Sequence, residues 1–232
     1  MAIIAPTHQG KTTVLCSLLV ETGRKYALAL DAKAGDSTLA SLNWPRVPTL
    51  PLPKPWWHIW YKDPYQLMAE GEPYRRIVGR IANSKEDRKK LIEELRSTLD
   101  RVFDTGGFTV AIDEFQLLAD RRMMDLGAEV ETLLIAARDK AVSVIVLFQA
   151  PRNVPRAGVD QCEYIWIALT RDRDVIERLA EILGRSTVEV EGAIQGLMSR
   201  DFTWILAHNN PREPLIVTIP PYVPKKVVRG VA

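Results

Sequence analysis

This sequence of 232 residues contains few cysteines and few aromatic residues, and its positive and negative charges are nearly balanced. The only two cysteines, Cys16 and Cys162, stand in apolar stretches, which excludes the disulfide framework of a small secreted domain. A formal net charge of +2 excludes a polycation that coats nucleic acid. No apolar run reaches the roughly 20 residues of a membrane-spanning helix. We therefore expect a folded cytoplasmic protein with no inserted segment.

Apolar segments of strand-like and helix-like pattern alternate along the chain. Nearly continuous apolar runs, typical of strands covered on both faces, predict strands at 1–5, 26–30, 108–112, 142–148 and 164–169. Helical spacing predicts helices at 12–20, 84–102, 123–140, 174–183 and 187–198. Strands at 202–207 and 215–219 are expected to form a C-terminal β-hairpin. The alternation predicts an α/β fold with a parallel-sheet core flanked by helices.

The length and the 47% hydrophobic content favour a single domain over residues 1–232, with a basic tail over 220–232. Prolines recur between positions 45 and 55 and predict an extended surface connection there. The aromatic run at 56–61 is expected to be a strand packed on the core, with an exposed binding platform as the alternative.

The segment from Ala5 to Thr13 matches the phosphate-binding loop G-x-x-x-x-G-K-[ST], with Ala5 in place of the first glycine. It lies between an apolar strand and a helix, so backbone N–H groups converge where a triphosphate would bind. Lys11 is expected to reach the β- and γ-phosphates, and the Thr12 hydroxyl to ligate Mg²⁺. The predicted nucleotide-binding residues are Thr7, His8, Gln9, Gly10, Lys11, Thr12 and Thr13.

Two acidic residues, Asp113 and Glu114, end the third buried strand. Asp113 is placed to hold the Mg²⁺ shell, and Glu114 to polarise a water for attack on the γ-phosphorus. This division of labour favours hydrolysis over binding alone, although an acidic pair at a solvated strand end is the simpler alternative. Gln149 ends the fourth strand. Its amide would face the γ-phosphate if that strand lies between the loop strand and the Asp113 strand.

The segment 138–151, in which an arginine, a short turn and a buried strand lead to Gln149 and a proline, resembles the FtsK/HerA superfamily of DNA-pumping ATPases. The Asp31-Ala-Lys33 sequence after the second strand is similar to the Asp-x-Lys pattern of that superfamily. With the loop and the acidic pair, the likeness covers about residues 1–169, and the compact size resembles the genome-packaging ATPases of some viruses and phages. Phe148 and Ala150 depart from the threonine and arginine usual there.

The resemblance implies a RecA-like P-loop NTPase core of the ASCE division, which binds ATP and Mg²⁺ and works as a homo-oligomeric ring, commonly a hexamer. It further implies double-stranded DNA, bound without sequence specificity, in the central channel, and a possible capsid or portal partner. A viral source would place the protein in the host cytoplasm or with the virion. Arg138 is the best candidate for an arginine finger, with Arg152 and Arg156 as rivals. Candidate DNA contacts are Lys85, Arg88, Lys89, Lys90, Lys225, Lys226 and Arg229, although solvated surface is the usual role of such charge runs.

Two other functions compete with a DNA motor. A nucleotide-dependent assembly or remodelling ATPase would act on protein partners instead of DNA. A P-loop kinase of a small molecule would need a lid with clustered arginines, for which Arg75, Arg76 and Arg80 are the candidates. The acidic pair and Gln149 argue against the kinase.

Overall fold

A computed structural model of the chain describes residues 1–6, 9–33, 35–52, 63–149, 159, 161–197 and 203–219. Several predictions fall outside these ranges. They concern the aromatic run at 56–61, the loop residues Thr7 and His8, the rival fingers Arg152 and Arg156, and the basic tail with Lys225, Lys226 and Arg229. Within the described ranges, no helix combines the length and apolar character needed to cross a bilayer.

One mostly parallel sheet organises the described residues. Its strands are β1 (Ala2–Ile4), β2 (Tyr26–Asp31), β3 (Arg46–Val47), β4 (Tyr74–Val78), β5 (Thr109–Asp113), β6 (Ser143–Phe148), β7 (Tyr164–Ile167), β8 (Trp204–His208) and β9 (Ile216–Thr218). They are arranged in the order β3-β4-β2-β5-β6-β1-β7-β8-β9. Strands β1 to β7 pair in parallel, and β8 and β9 add antiparallel pairs at one edge. The predicted parallel core and C-terminal hairpin are confirmed.

Helices cover both faces of the sheet. They are α1 (Lys11–Glu21), α2 (Ser37–Ala40), α3 (Pro64–Ala69), α4 (Lys85–Thr105), α5 (Phe115–Ala119), α6 (Gly127–Ala136), α7 (Arg173–Leu183) and α8 (Thr187–Gln195). Alternate strand residues face two separate apolar cores. Ile4, Leu30 and Ile112 join the core under α4, α6 and α7, whereas Ile3 and Ala29 join the core under α1. Burial on both faces explains why these strands read as continuous apolar runs.

The structure corrects the helix predicted at 123–140. The helix α6 begins only at Gly127, because the N–H groups of Met123 and Met124 both donate to the Asp120 carbonyl in a preceding turn, at 3.0 Å each. After Ala136 the chain turns again, and the Val142 N–H donates to the Ala137 carbonyl at 2.8 Å. The helical spacing of apolar residues continues through both turns. The predicted helix was therefore too long at each end.

Two strands were missed by the sequence reading. Arg46–Val47, within the predicted proline-rich connection, forms β3 at the sheet edge. An edge strand needs backbone hydrogen bonds to a neighbouring strand on one side only. The strand β4 has the sequence Tyr-Arg-Arg-Ile-Val, and its two arginines interrupt the apolar run by which the other strands were predicted. These arginines are only half-buried, while Tyr74, Ile77 and Val78 are buried.

Gly106 joins the end of α4 to β5 in a conformation that only glycine adopts without strain. Its φ is +72°, and an added Cβ would lie 2.3 Å from the Lys140 carbonyl oxygen. We expect Gly106→Ala to lower the free energy of unfolding by about 2–4 kcal/mol, measured by urea denaturation. Gly192→Ala, in α8 with nothing within 4 Å of the added Cβ, is the control and should be neutral or stabilising by up to about 1 kcal/mol. Equal losses in the two variants would contradict the steric argument.

Candidate functional site

The carboxyl ends of four parallel strands bring the predicted site residues to one edge of the sheet. The loop before α1 follows β1, Lys33 follows β2, Asp113 and Glu114 end β5, and Gln149 follows β6. The strand β6 lies between β1 and β5, as the interpretation of Gln149 requires. Ligands of parallel α/β sheets bind outside this edge.

Lys11 begins α1 and lies buried beneath the loop that precedes it. Its Nζ donates to the carbonyl oxygens of Ala5 at 2.9 Å and Pro6 at 3.3 Å. Burial lowers the pKa of Lys11, an effect that the negative charges of Glu114 and Asp113 oppose. Gly10 precedes the helix with φ 79° and has no side chain to cap it. A buried ammonium and an uncapped helix N-terminus together favour an anionic ligand.

The other described loop residues surround this position. Gln9 and Gly10 are exposed, while Thr12 and Thr13 are half-buried in the first turn of α1. Thr7 and His8 lie outside the described residues. The described residues of the predicted loop therefore lie together at the amino end of α1.

Thr12 and Asp113 meet although 101 residues separate them in sequence. The Thr12 hydroxyl donates to Asp113 Oδ1 at 3.2 Å. Asp113 is fully buried, and burial raises its pKa to about 6 despite the positive charge of Lys33. A hydroxyl and a buried carboxylate that lacks full charge compensation are the oxygen donors that Mg²⁺ combines with substrate phosphates. These two residues fit the predicted magnesium site.

Glu114 is held in a strained position beside Asp113. Its φ of 62° and ψ of 63° are left-handed, which is costly for a residue with a Cβ. The Gln149 amide Nε2 donates to both carboxylate oxygens of Glu114, at 3.0 and 2.9 Å. The structure thus brings the two residues into direct hydrogen-bond contact.

Phe148, which stands where the resembling family has threonine, is fully buried next to this pair. Its ring contacts that of Phe115 edge-on, with centroids 5.2 Å apart. Phe115 follows Glu114, and Phe148 precedes Gln149. The ring pair therefore fixes the backbone spacing of the two polar residues by packing, where a hydroxyl could offer only a hydrogen bond.

Lys33 contacts both acidic residues, a role that sequence reasoning missed. Its Nζ lies 3.1 Å from Asp113 Oδ2, 3.1 Å from Glu114 Oε1 and 3.5 Å from Asp36 Oδ2. Burial alone would lower the pKa of Lys33, but Asp113 and Glu114 together raise it above its usual value. The position of Lys33 at the end of a strand adjacent to β5 was the available signal.

Asp31, the first residue of the Asp-x-Lys pattern, anchors the backbone that presents Lys33. Its carboxylate accepts the N–H groups of Lys33 at 3.1 Å, Gly35 at 2.9 Å and Asp36 at 3.0 Å. The Arg46 guanidinium donates to the same carboxylate at 2.8 Å. Asp31 is fully buried, so the pattern serves to fix a turn at the site edge.

A cavity of about 350 Å³ opens beside the Glu114 carboxylate. Its walls are formed by Lys33, Glu114, Gln116, Leu117, Asp120, Met123 and Gln149. The volume is in the range of small-molecule sites. It gives a water molecule, or a group from outside the chain, access to the carboxylate.

Arg138 lies exposed in the turn before β6, at the amino end of that strand. Gln149 follows the other end, so a six-residue strand, about 20 Å long at 3.3 Å per residue, separates the two residues. Arg138 therefore stands at the sheet edge opposite the site. The basic run of Lys85, Arg88, Lys89 and Lys90 is exposed at the start of α4.

The arginines considered for a kinase lid do not form one. Arg75 and Arg76 belong to β4 and are fixed in the sheet, where the Arg76 guanidinium lies over the Tyr74 ring. The Arg80 Nε donates to Glu94 at 2.9 Å, which engages it with α4. These three arginines are engaged elsewhere and therefore give no support to the kinase alternative.

Asp113 makes stability depend on pH. Its pKa in the folded protein, about 6, exceeds the ordinary value of roughly 3.9, so the folded state becomes less stable as pH rises from 4 through 6. Asp113→Asn removes this effect. In metal-free buffer, we expect D113N to match the wild type near pH 4 and to exceed its free energy of unfolding by up to about 3 kcal/mol above pH 6.

Denaturant titrations at several pH values between 4 and 8 measure this difference. Asp139→Asn, at an exposed position after α6, controls for the substitution itself. A stability difference between D113N and wild type that stays constant over this range would contradict the assignment of a buried, undercompensated carboxylate.

No protein-family model matches the chain, and no curated protein matches it in sequence. Solved structures do match. B204, the DNA-packaging ATPase from Sulfolobus turreted icosahedral virus, aligns at a TM-score of 0.58 and 13% identity over 95% of this chain and 97% of that chain. EssC (ATPases 2 and 3) from Geobacillus thermodenitrificans aligns at a TM-score of 0.58 and 12% identity over 96% of this chain and 39% of that chain.

The pCW3 conjugation coupling protein TcpA, solved with ATPγS, aligns at a TM-score of 0.51 and 13% identity over 94% of this chain and 58% of that chain. At these identities the likeness establishes the fold. It confirms the predicted RecA-like α/β fold, and the resemblance seen in the sequence is confirmed at the level of the fold.

Proposed function

We propose that this chain hydrolyses ATP with Mg²⁺ and uses the cycle to translocate double-stranded DNA without sequence specificity, packaging a viral or phage genome. The observation that carries the proposal is the meeting of Lys11, the Thr12–Asp113 pair and the Glu114–Gln149 pair at one sheet edge. That constellation stands in a fold shared with a DNA-packaging ATPase.

The residues divide the hydrolytic work. Lys11 is placed to exchange its two carbonyl partners for the β- and γ-phosphates, and the first turn of α1 supplies further N–H donors. Thr12 and Asp113 would hold Mg²⁺, which when bound neutralises charge on the phosphates. Glu114 accepts a proton from the attacking water, and Gln149 keeps its carboxylate aimed.

The position of Arg138 supports a ring. An exposed arginine at the edge opposite its own site can stabilise transition-state charge only at the site of another copy. We expect Arg138→Ala to lower ATP turnover by about 10³-fold with ATP binding retained. Mixing Arg138→Ala with Glu114→Gln protein should restore part of the turnover, because the second variant supplies Arg138 to the intact sites of the first. Full activity of R138A alone would transfer the role to Arg152 or Arg156.

DNA contact in a ring needs only a modest cationic patch on each subunit. The exposed run of Lys85, Arg88, Lys89 and Lys90 offers one, and the tail with Lys225, Lys226 and Arg229 a second. Repetition around a hexameric channel would concentrate these charges on phosphates without base readout. A capsid or portal protein is the partner that would receive the DNA.

Triplex displacement tests translocation. Linear duplex DNA with a bound third-strand oligonucleotide is incubated with the protein and ATP, and release of the oligonucleotide is followed. We expect release that requires ATP and is absent with Glu114→Gln or a non-hydrolysable analogue. ATP turnover that is indifferent to DNA, with no release, would favour the assembly or remodelling ATPase that acts on proteins.

A further inference from the structure

We propose that Lys33 is a built-in cation of this site: its ammonium holds Asp113 and Glu114 together and competes with Mg²⁺ for these carboxylates, so that Lys33 must leave them before the metal binds. The inference rests on the proposed ATPase function and assigns Lys33 a positioning and regulatory role in it.

Lys33 completes a set of contacts that engages all four carboxylate oxygens. Asp113 Oδ1 accepts from Thr12 and Oδ2 lies 3.1 Å from Lys33 Nζ. Glu114 Oε1 lies 3.1 Å from the same Nζ, and Gln149 donates to both of its oxygens. A metal ion that binds between these two carboxylates therefore meets the Lys33 ammonium, which already lies 3.1 Å from both.

Lys33 is the donor that can leave most readily. Its side chain is 36% exposed, whereas Thr12 and Gln149 are fixed by the first turn of α1 and the end of β6. The backbone at Lys33 is anchored separately by Asp31. The side chain can therefore move while the turn stays in place.

Asp36 offers the ammonium a second carboxylate away from the catalytic pair. Asp36 Oδ2 lies 3.5 Å from Lys33 Nζ, while Asp36 Oδ1 accepts the N–H groups of Thr38 and Leu39 at the start of α2. Lys33 can thus shift toward Asp36 without losing an anionic partner. The arrangement provides two positions for one ammonium.

The positive charge of Lys33 determines whether this residue strengthens or weakens metal binding. A bound divalent cation and the Lys33 ammonium would repel each other within the same pair of carboxylates, since like charges at this distance oppose each other. Removal of the ammonium should strengthen metal binding to the nucleotide-free protein. Lys33→Arg retains the positive charge and should therefore still compete with the metal ion for the carboxylates.

The test is the binding of Mn²⁺, a probe for Mg²⁺ sites, to the full chain without nucleotide, followed by electron paramagnetic resonance. We expect Lys33→Met to lower the Mn²⁺ dissociation constant by about tenfold or more, the scale of one removed neighbouring charge. Lys33→Arg should remain close to wild type. Lys25→Met, at an exposed lysine before β2, is the matched control and should bind as wild type does.

Circular dichroism melts establish that each variant is folded, and Lys33→Gln replaces Lys33→Met if the latter is not. Equal dissociation constants for wild type and K33M would overturn the inference even if the wild type hydrolyses ATP. Unchanged Mn²⁺ binding with a loss of affinity for ATP but not ADP would also overturn it, because Lys33 would then be a phosphate ligand. Tighter Mn²⁺ binding in K33M from a wild type that hydrolyses no nucleotide would overturn the proposed function alone.

Discussion

Glu114→Gln is expected to reduce ATP hydrolysis by about 10²–10⁴-fold while ATP still binds. Glutamine keeps the size of the side chain but cannot accept the proton of the attacking water. It also changes the local contacts, because Gln149 Nε2 now donates to both carboxylate oxygens and would face an amide. Lys11, Thr12 and Asp113 are left in place, so nucleotide affinity should stay within a few-fold of wild type.

Phosphate release measures hydrolysis, and binding of a fluorescent ATP analogue measures nucleotide affinity separately. Glu191→Gln, an exposed glutamate on α8 remote from the site, is the matched control and should hydrolyse ATP normally. Normal turnover in E114Q would remove Glu114 from the catalytic role. Loss of binding as well as turnover would show that the carboxylate supports the site structurally.

Lys11→Ala is expected to abolish both binding and hydrolysis. The Lys11 ammonium is the buried cation of the phosphate-binding loop, and alanine would leave the carbonyls of Ala5 and Pro6 without their donor. Loss of a preorganised charge at the reacting phosphate costs roughly 10²–10³ in turnover, and weakened binding adds to this. The expected result is no detectable saturation by ATP at concentrations that saturate the wild type.

Lys25→Ala provides the control for Lys11→Ala, since Lys25 is an exposed lysine after α1. It should bind and hydrolyse ATP as wild type does. Thermal melts should show K11A folded, because a lysine with a pKa lowered by burial is not a large source of stability. Saturable ATP binding by folded K11A would exclude this loop as the nucleotide site.

The sequence predicted candidate site residues where a local pattern encodes them, and the structure brings the described ones to one edge of the sheet. The loop from Ala5 to Thr13 and the acidic end of β5 combine a polar motif with a buried strand, and such motifs report both chemistry and position. Parallel strands then determine which ends meet. The observed order β5-β6-β1 meets the condition on which the interpretation of Gln149 depended.

The contacts of Lys33 and Gln149 could not be predicted because they depend on tertiary geometry. Lys33 follows β2 and Glu114 follows β5, and only the adjacent pairing of these strands in register brings the two side chains within 3.1 Å. The sequence analysis expected the Gln149 amide to face the γ-phosphate, and the structure shows that this amide donates to the Glu114 carboxylate. The strand β4 escaped detection for a different reason: it lies next to the edge strand β3, and its two arginines are only half-buried, so its sequence is not continuously apolar.

Whether the protein is a DNA-stimulated ATPase is decided by steady-state ATP hydrolysis with and without linear double-stranded DNA, at low salt and with the mass in solution recorded alongside. We expect release of ADP and phosphate by a ring-sized species, at a rate that DNA increases and that Glu114→Gln abolishes. Absence of hydrolysis under both conditions, or transfer of the phosphate to an acceptor other than water, would contradict it.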